Sequence, residues 1–181
     1  MNGELTPPVS ERDHVHGRAD APVTLVEYGD YECPHCARAH PIVERVRARL
    51  GDRLRFVFRN FPLGEIHPHA VHAAEAAEAA GALGKFWPMH DTIYEHAQSS
   101  PHALDDAALV RYAGTVGVDA ESVREALDYA VYEDRVRADF MSGVRSGVNG
   151  TPTFFINGTR HDGAWDEESL LEALEGRHST R

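Results

Sequence analysis

The fold is decided by one stretch of the sequence, VTLVEYGDYECPHC, at residues 23–36. It begins with a run that is apolar on both faces, which is typical of a strand buried on both sides of a sheet. It ends with Cys33-Pro34-His35-Cys36, and a helical pattern continues from there to about residue 50. The stretch therefore predicts a central strand, a short turn and a helix that begins at the cysteine pair.

Cys33 and Cys36 are the only two cysteines in this chain of 181 residues. A cysteine at a helix N-terminus meets unpaired backbone N–H groups and the positive end of the helix dipole, and both stabilise a thiolate. Cys36 lies one turn further along the helix, close enough to close a small disulfide ring with Cys33. The pair is therefore predicted to be redox-active, with Cys33 as the nucleophile and Cys36 as the resolving thiol.

Two alternatives use the same cysteines differently. In the first, the two cysteines form half of a tetrahedral zinc site, and two histidines supply the other ligands. A purely structural disulfide is less favourable, because the gain from a crosslink grows with loop length and this loop is very short. Among the twelve histidines, His67, His69 and His72 lie close together, but no further ligand completes a motif. We therefore predict no metal site, and a zinc-binding or interaction module remains the alternative function.

Composition limits the class of protein. The length suits one domain with a substantial core, and a formal net charge of −11 argues against binding to nucleic acid or to anionic membranes. No apolar run reaches the roughly 20 residues that span a bilayer, so no membrane insertion is expected. The polar N-terminus lacks the hydrophobic core of a secretory signal, which predicts a cytoplasmic protein. A periplasmic or other extracytoplasmic location is the alternative if a leader was removed.

The remaining pattern divides the chain into five parts. Residues 1–13 are expected to form a flexible arm, and residues 14–63 the first part of an α/β core, with a strand at 54–58 and a loop at 59–63. Residues 64–147 are helical throughout and are predicted to be an insertion. Residues 148–176 return to the core with a strand, an Asn157-Gly158 hairpin turn and a last helix. Residues 177–181 are predicted to be a tail.

Taken together, Cys-Pro-His-Cys at the start of a helix, the helical insertion and Gly150-Thr151-Pro152-Thr153 before a hairpin resemble the DsbA-like branch of the thioredoxin superfamily. The resemblance covers residues from about 14 to 176. It implies an α/β, thioredoxin-like fold with a central mixed sheet and an inserted all-helical subdomain.

The resemblance also implies roles for individual residues. Thr151 and Pro152 match the cis-proline loop, which faces the redox motif and binds substrate. Glu27, an unexpected carboxylate in a buried strand, matches a buried acid that relays the proton of the resolving cysteine. Pro34 and His35 match the dipeptide that tunes the thiolate. Thr151 stands where periplasmic oxidases commonly have valine, which leaves the direction of catalysis open.

The function implied is that of a thiol-disulfide oxidoreductase. Its partners would be protein or peptide thiols, together with a redox partner that regenerates the active form. No external cofactor is expected, because the Cys33–Cys36 disulfide itself carries the electrons. A glutathione-linked reductase or isomerase remains an alternative within the same class.

Overall fold

The computed structural model describes residues 3–176, so the predicted tail at 177–181 lies outside the described residues. The strands are β1 (His14–His16), β2 (Val23–Gly29), β3 (Leu54–Asn60), β4 (Thr153–Ile156) and β5 (Thr159–His161). The helices are α1 (Pro34–Leu50), α2 (Ala70–Ala82), α3 (Phe86–His96), α4 (Asp106–Thr115), α5 (Ala120–Asp128), α6 (Glu133–Arg145) and α7 (Glu167–Leu174).

The five strands form one mixed sheet in the order β1-β3-β2-β4-β5. The pair β2 and β3 is parallel, and every other neighbouring pair is antiparallel. The predicted central strand is thus β2, which pairs on both edges. The β4–β5 hairpin turns at Asn157 and Gly158, whose φ angles of 49° and 85° are those that a two-residue hairpin turn requires.

Side chains on the two faces of the sheet pack into two separate hydrophobic clusters. Leu25, Phe56, Phe58 and Phe154 face α1 and the helical block, in the larger cluster. A smaller cluster on the other face is built from Val26, Tyr28, Val57, Phe61 and Phe155, together with Leu5 and Val148. Because both faces are covered, the strands contain long runs of buried residues rather than a clean polar alternation.

Helices α2 to α6 lie between β3 and β4, which confirms the predicted α/β fold with a central mixed sheet and an inserted helical subdomain. Asp105 and Asp119 cap α4 and α5 through side chains that accept backbone N–H bonds of Ala108 and Ser122. Within residues 3–176, no helix has both the length and the apolar composition needed to cross a bilayer.

The N-terminal segment differs from the flexible arm that the sequence suggested. Leu5 is buried in the smaller cluster, and its backbone N–H donates to the Gly158 carbonyl at 2.8 Å. Asp13 forms a buried ion pair with Arg59 at 2.7 Å, and the same guanidinium donates to the carbonyls of Pro7 and Pro8. This segment covers a sheet face that would otherwise be exposed, which explains why it is ordered.

The predicted loop at 59–63 is also partly wrong, because β3 continues to Asn60. Both added residues are polar and buried, and each has partners from distant segments. Arg59 bonds to Asp13, and the Asn60 side chain donates to Glu78 and Asp139 at 2.8 and 3.1 Å. Long-range pairing of this kind leaves no local sequence signal.

Candidate active site

The cysteine pair lies at the start of α1, after the turn that follows β2. Cys33 is the N-cap residue of α1, with extended backbone angles, and Pro34 follows at the first helical position, where its missing N–H costs nothing. Cys36 is fully buried one turn later, and Cys33 is 4% exposed. Both are free thiols. The local sequence thus places the first sulfur at the positive end of the helix and the second beneath it.

The two thiols have opposite acidities. The pKa of Cys33 is lowered to about 5, chiefly by a hydrogen bond from the Cys36 thiol, with help from the backbone N–H groups of His35 and Cys36. Burial raises the pKa of Cys36 well above its ordinary value, and its hydrogen bond to Cys33 adds to that effect. At neutral pH, Cys33 is a thiolate and Cys36 remains protonated. This asymmetry is the one that the predicted role of Cys33 as the nucleophile requires.

Glu27 lies in the middle of β2, paired in register with Phe58 on one side and Phe154 on the other. It is 2% exposed, and its Oε1 atom has no hydrogen-bond partner. Burial, and secondarily the Cys33 thiolate, raise the pKa of this carboxyl to about 8. A carboxyl group with that pKa can both hold and release a proton close to neutral pH.

The loop before β4 completes the site. The Thr151–Pro152 peptide bond is cis, and the Thr151 carbonyl lies 3.5 Å from the Cys33 sulfur. The Thr153 hydroxyl donates to the Gly150 carbonyl at 2.7 Å, which fixes the end of the loop. The structure therefore brings this loop to the cysteine pair although about 118 residues of sequence separate them.

Pro34 and His35 occupy the outer surface of the motif. Both are exposed, whereas the two flanking cysteines are buried. The Nδ1 atom of His35 accepts a hydrogen bond from the guanidinium of Arg38, one turn further along α1. The dipeptide therefore faces solvent beside Cys33.

Sequence reasoning missed Asp30 and Glu32, which hold the turn between β2 and α1. The fully buried Asp30 carboxylate accepts from the N–H groups of Glu32 and Leu63, at 2.8 and 2.9 Å, and lies 2.7 Å from His67 Nδ1. The backbone N–H of Asp30 points at the Cys36 sulfur, 3.5 Å away. The bond from Glu32 is an Asx turn, so an aspartate after the strand was the available signal.

The histidines singled out in the sequence do not gather around the cysteines. His67 pairs with Asp30, and His72 pairs with Asp106 at 2.7 Å on the surface. Among residues 3–176, one group of side chains has the spacing of a metal site, namely His40, His90 and Asp91, and it includes neither cysteine. The arrangement thus gives no support to a zinc site built on Cys33 and Cys36.

An acid titration would test the predicted asymmetry of the thiols. In the reduced protein, we expect the ultraviolet absorbance of one thiolate to disappear with a midpoint near pH 5, and Cys36 to remain a thiol throughout. Cys36→Ala should raise the midpoint for Cys33, because it removes the hydrogen bond that lowers this pKa most. An unchanged midpoint in that variant would show that the helix N-terminus alone stabilises the thiolate.

Comparison with known proteins identifies a family and solved structures with this architecture. A family model described as Thioredoxin matches residues 9–176. The structure of BdbD from Bacillus subtilis, in its oxidised form, superposes with a TM-score of 0.84 at 25% identity, covering 97% of this chain and 96% of that chain. A thioredoxin-like oxidoreductase from Silicibacter pomeroyi gives a TM-score of 0.78 at 25% identity, with 92% of each chain covered.

A curated relative has a different kind of name. The Na(+)/H(+) antiporter NhaA 1 of Mycolicibacterium vanbaalenii is 45% identical over 175 residues, which cover 94% of this chain and 27% of the relative. The chain thus spans about a quarter of the length of the curated relatives it matches. Because that family model covers most of its length, the chain belongs to the thioredoxin family, and it shares its fold with BdbD over nearly all of its length.

Proposed function

We propose that the protein is a thiol-disulfide oxidoreductase that exchanges a Cys33–Cys36 disulfide with protein or peptide thiols. The observation that carries the proposal is the opposite acidity of the two cysteines, a thiolate with a pKa of about 5 beside a buried thiol. The structural neighbours include a named oxidoreductase, which supports oxidoreductase activity at a general level. The antiporter name belongs to relatives about four times as long as the chain.

In the reducing direction, the Cys33 thiolate attacks one sulfur of a substrate disulfide. A mixed disulfide forms, and the other substrate sulfur leaves as a thiolate. Cys36 then loses its proton and attacks the Cys33 sulfur, which forms the Cys33–Cys36 disulfide and releases the second substrate thiolate. Oxidation of a substrate dithiol is the same sequence reversed. Two electrons move between the two sulfur pairs, so we propose no further cofactor for this reaction.

The proton of Cys36 needs an acceptor, because burial keeps this thiol protonated at neutral pH. We assign that role to Glu27, whose carboxyl is buried and has a pKa of about 8. Its raised pKa makes the ionised form a stronger base than an ordinary carboxylate. The electrostatic coupling of Glu27 to both cysteines supports this assignment.

The substrate is proposed to bind along the loop at Thr151 and Pro152. This loop ends in an irregular turn before β4, and its Thr151 carbonyl already lies against the Cys33 sulfur. An extended peptide can pair with such main-chain groups as an added strand, which requires no particular substrate sequence. Pro34 and His35, exposed beside Cys33, would contact the same peptide.

The low pKa of Cys33 also favours the reduced form of the pair. The first cysteine of thioredoxin has a pKa of about 7 and that protein a potential of about −270 mV. Two pKa units correspond to about 60 mV for a two-electron couple. We therefore propose a couple that oxidises substrates more readily than thioredoxin does.

Equilibration in glutathione buffers would test the proposal as a whole. We expect the free thiols to titrate as one two-electron couple, about 60 mV above thioredoxin measured in parallel. A potential at or below that of thioredoxin would contradict the oxidising role and favour a reductase. Failure of the two thiols to titrate as a pair would contradict thiol-disulfide exchange itself.

A further inference from the structure

Three side chains with metal-binding atoms meet between α1 and α3. They are His40, His90 and Asp91, and one ligand atom from each lies within 4.8 Å of those of the other two. The Nε2 atom of His40 is 3.6 Å from Asp91 Oδ1, which is too long for a hydrogen bond. The two imidazole rings are 5.4 Å apart and inclined by 67°. The group lies one helical turn beyond Cys36 on α1.

This group is largely buried, yet one of its polar atoms lacks a hydrogen-bond partner. Asp91 Oδ1 is buried and has no hydrogen-bond partner, which is unfavourable for a charged group. His40 is 9% exposed and His90 is 1% exposed. A cation bound between the three would supply the missing partner of the carboxylate.

The surroundings already orient one of the proposed ligands. The hydroxyl of Tyr31 lies 2.9 Å from Nδ1 of His90, and both groups are buried. Metal-binding histidines usually use one ring nitrogen for the metal and the other for such a hydrogen bond, which fixes the ring. Tyr94 stacks on His40 with ring centroids 5.0 Å apart. Packing on both rings therefore limits their freedom before any ion binds.

We propose that His40, His90 and Asp91 form a binding site for a divalent transition-metal ion, with Zn²⁺ as the ion of best fit. Two imidazole nitrogens and one carboxylate oxygen are a common set of three protein ligands for zinc, with water in the fourth position. Ligand atoms at about 2.1 Å from a tetrahedral ion are about 3.4 Å apart. The His40–Asp91 separation of 3.6 Å is close to this value, and the His90 ligand atom lies within 4.8 Å of both.

The site lies between two parts of the fold. A bound ion would join α1, which carries the cysteine pair, to α3 of the helical insertion. The site depends on residues 40 and 90–91, which are distant in sequence, and this explains why spacing alone did not predict it.

Zinc binding should be measured in a Cys33→Ser/Cys36→Ser background, so that thiols do not bind the metal and the result is independent of exchange chemistry. Calorimetric titration with Zn²⁺ is expected to give one ion per chain and to raise the melting temperature. Asp91→Asn and His40→Gln should each weaken binding by more than tenfold. Asp91 is only half-buried, so its variant should keep the fold even if His40→Gln does not.

His72→Ala is the matched control, because His72 also pairs with an aspartate, Asp106, but on the surface. It should leave both the affinity and the melting shift unchanged. Binding of Co²⁺ should add visible absorption bands of a four-coordinate ion, absent from Asp91→Asn. Equal zinc affinity in Asp91→Asn and the parent, or loss of binding in His72→Ala, would overturn the proposal.

Discussion

Cys33→Ser is expected to lower the rate of thiol-disulfide exchange by about 1,000-fold or more, because a serine hydroxyl is not ionised at neutral pH and is a far weaker nucleophile. The expected effect is large because the surroundings of Cys33 stabilise its thiolate form. The helix N-terminus, the Cys36 thiol and the backbone of residues 35 and 36 all favour the charged sulfur. The effect is measured as the rate at which dithiothreitol reduces insulin disulfides in the presence of the wild type, compared with the rate in the presence of the variant.

Cys36→Ser provides the matched comparison, since it makes the same chemical change one turn away. This variant should still make the first attack and then stop, because no second thiol releases the substrate. The mixed disulfide on Cys33 should accumulate and be visible by mass spectrometry. Wild-type turnover in Cys33→Ser, or a mixed disulfide that accumulates on Cys36 in Cys33→Ser but not on Cys33 in Cys36→Ser, would show that the nucleophile has been assigned to the wrong residue.

Much of the core and part of the site follow from local sequence. The strand before the cysteines, the helix after them and the β4–β5 hairpin depend on apolar runs, an N-terminal proline and an Asn-Gly turn, all read within a few residues. Glu27 was recognisable because a carboxylate within a buried strand is costly, and the structure shows it buried with an unpartnered oxygen.

The features that sequence could not predict depend on distant partners. Residues 3–13 look polar and flexible, yet Leu5 and Asp13 meet β3 and the hairpin because a sheet face needs cover. Arg59 and Asn60 look like loop residues, but their side chains donate hydrogen bonds to Asp13, Glu78 and Asp139. The cluster of His40, His90 and Asp91 has the same origin, since two helices must pack before its atoms meet.

Glu27→Gln is expected to stabilise the reduced protein at alkaline pH, and the sign follows from the shift of its pKa. The carboxyl has a pKa of about 8 in the folded protein against 4.5 ordinarily, so the folded state holds the proton more tightly than the unfolded state. Its contribution to stability is complete below pH 4.5 and is lost as the pH rises through 8. At pH 8.5 the cost is on the order of 4 kcal/mol, and glutamine avoids it.

Urea unfolding of the reduced proteins at pH 5 and pH 8.5 measures this difference. The variant and the wild type should have similar stability at pH 5, and the variant should be more stable at pH 8.5. Glu65→Gln is the control, because Glu65 is an exposed carboxylate and its replacement should change neither value. Equal loss of stability with pH in wild type and Glu27→Gln would contradict a raised pKa for Glu27.

The same substitution separates the proton-relay role of Glu27 from a purely structural cost. If Glu27 accepts the proton of Cys36, Glu27→Gln should slow release of the mixed disulfide by about tenfold or more. This effect lies at or below the low end of the usual range for loss of a general base, because water can replace Glu27 as the proton acceptor. The first attack by Cys33 needs no base and should change little. The wild-type release rate should rise with pH as Glu27 ionises, through a pKa no higher than about 8 because Cys33 carries no charge in the mixed disulfide, and the variant's rate should not. A variant that is more stable at pH 8.5 yet releases substrate at the wild-type rate would leave Glu27 with a raised pKa and no part in catalysis, and would require another acceptor for the proton of Cys36.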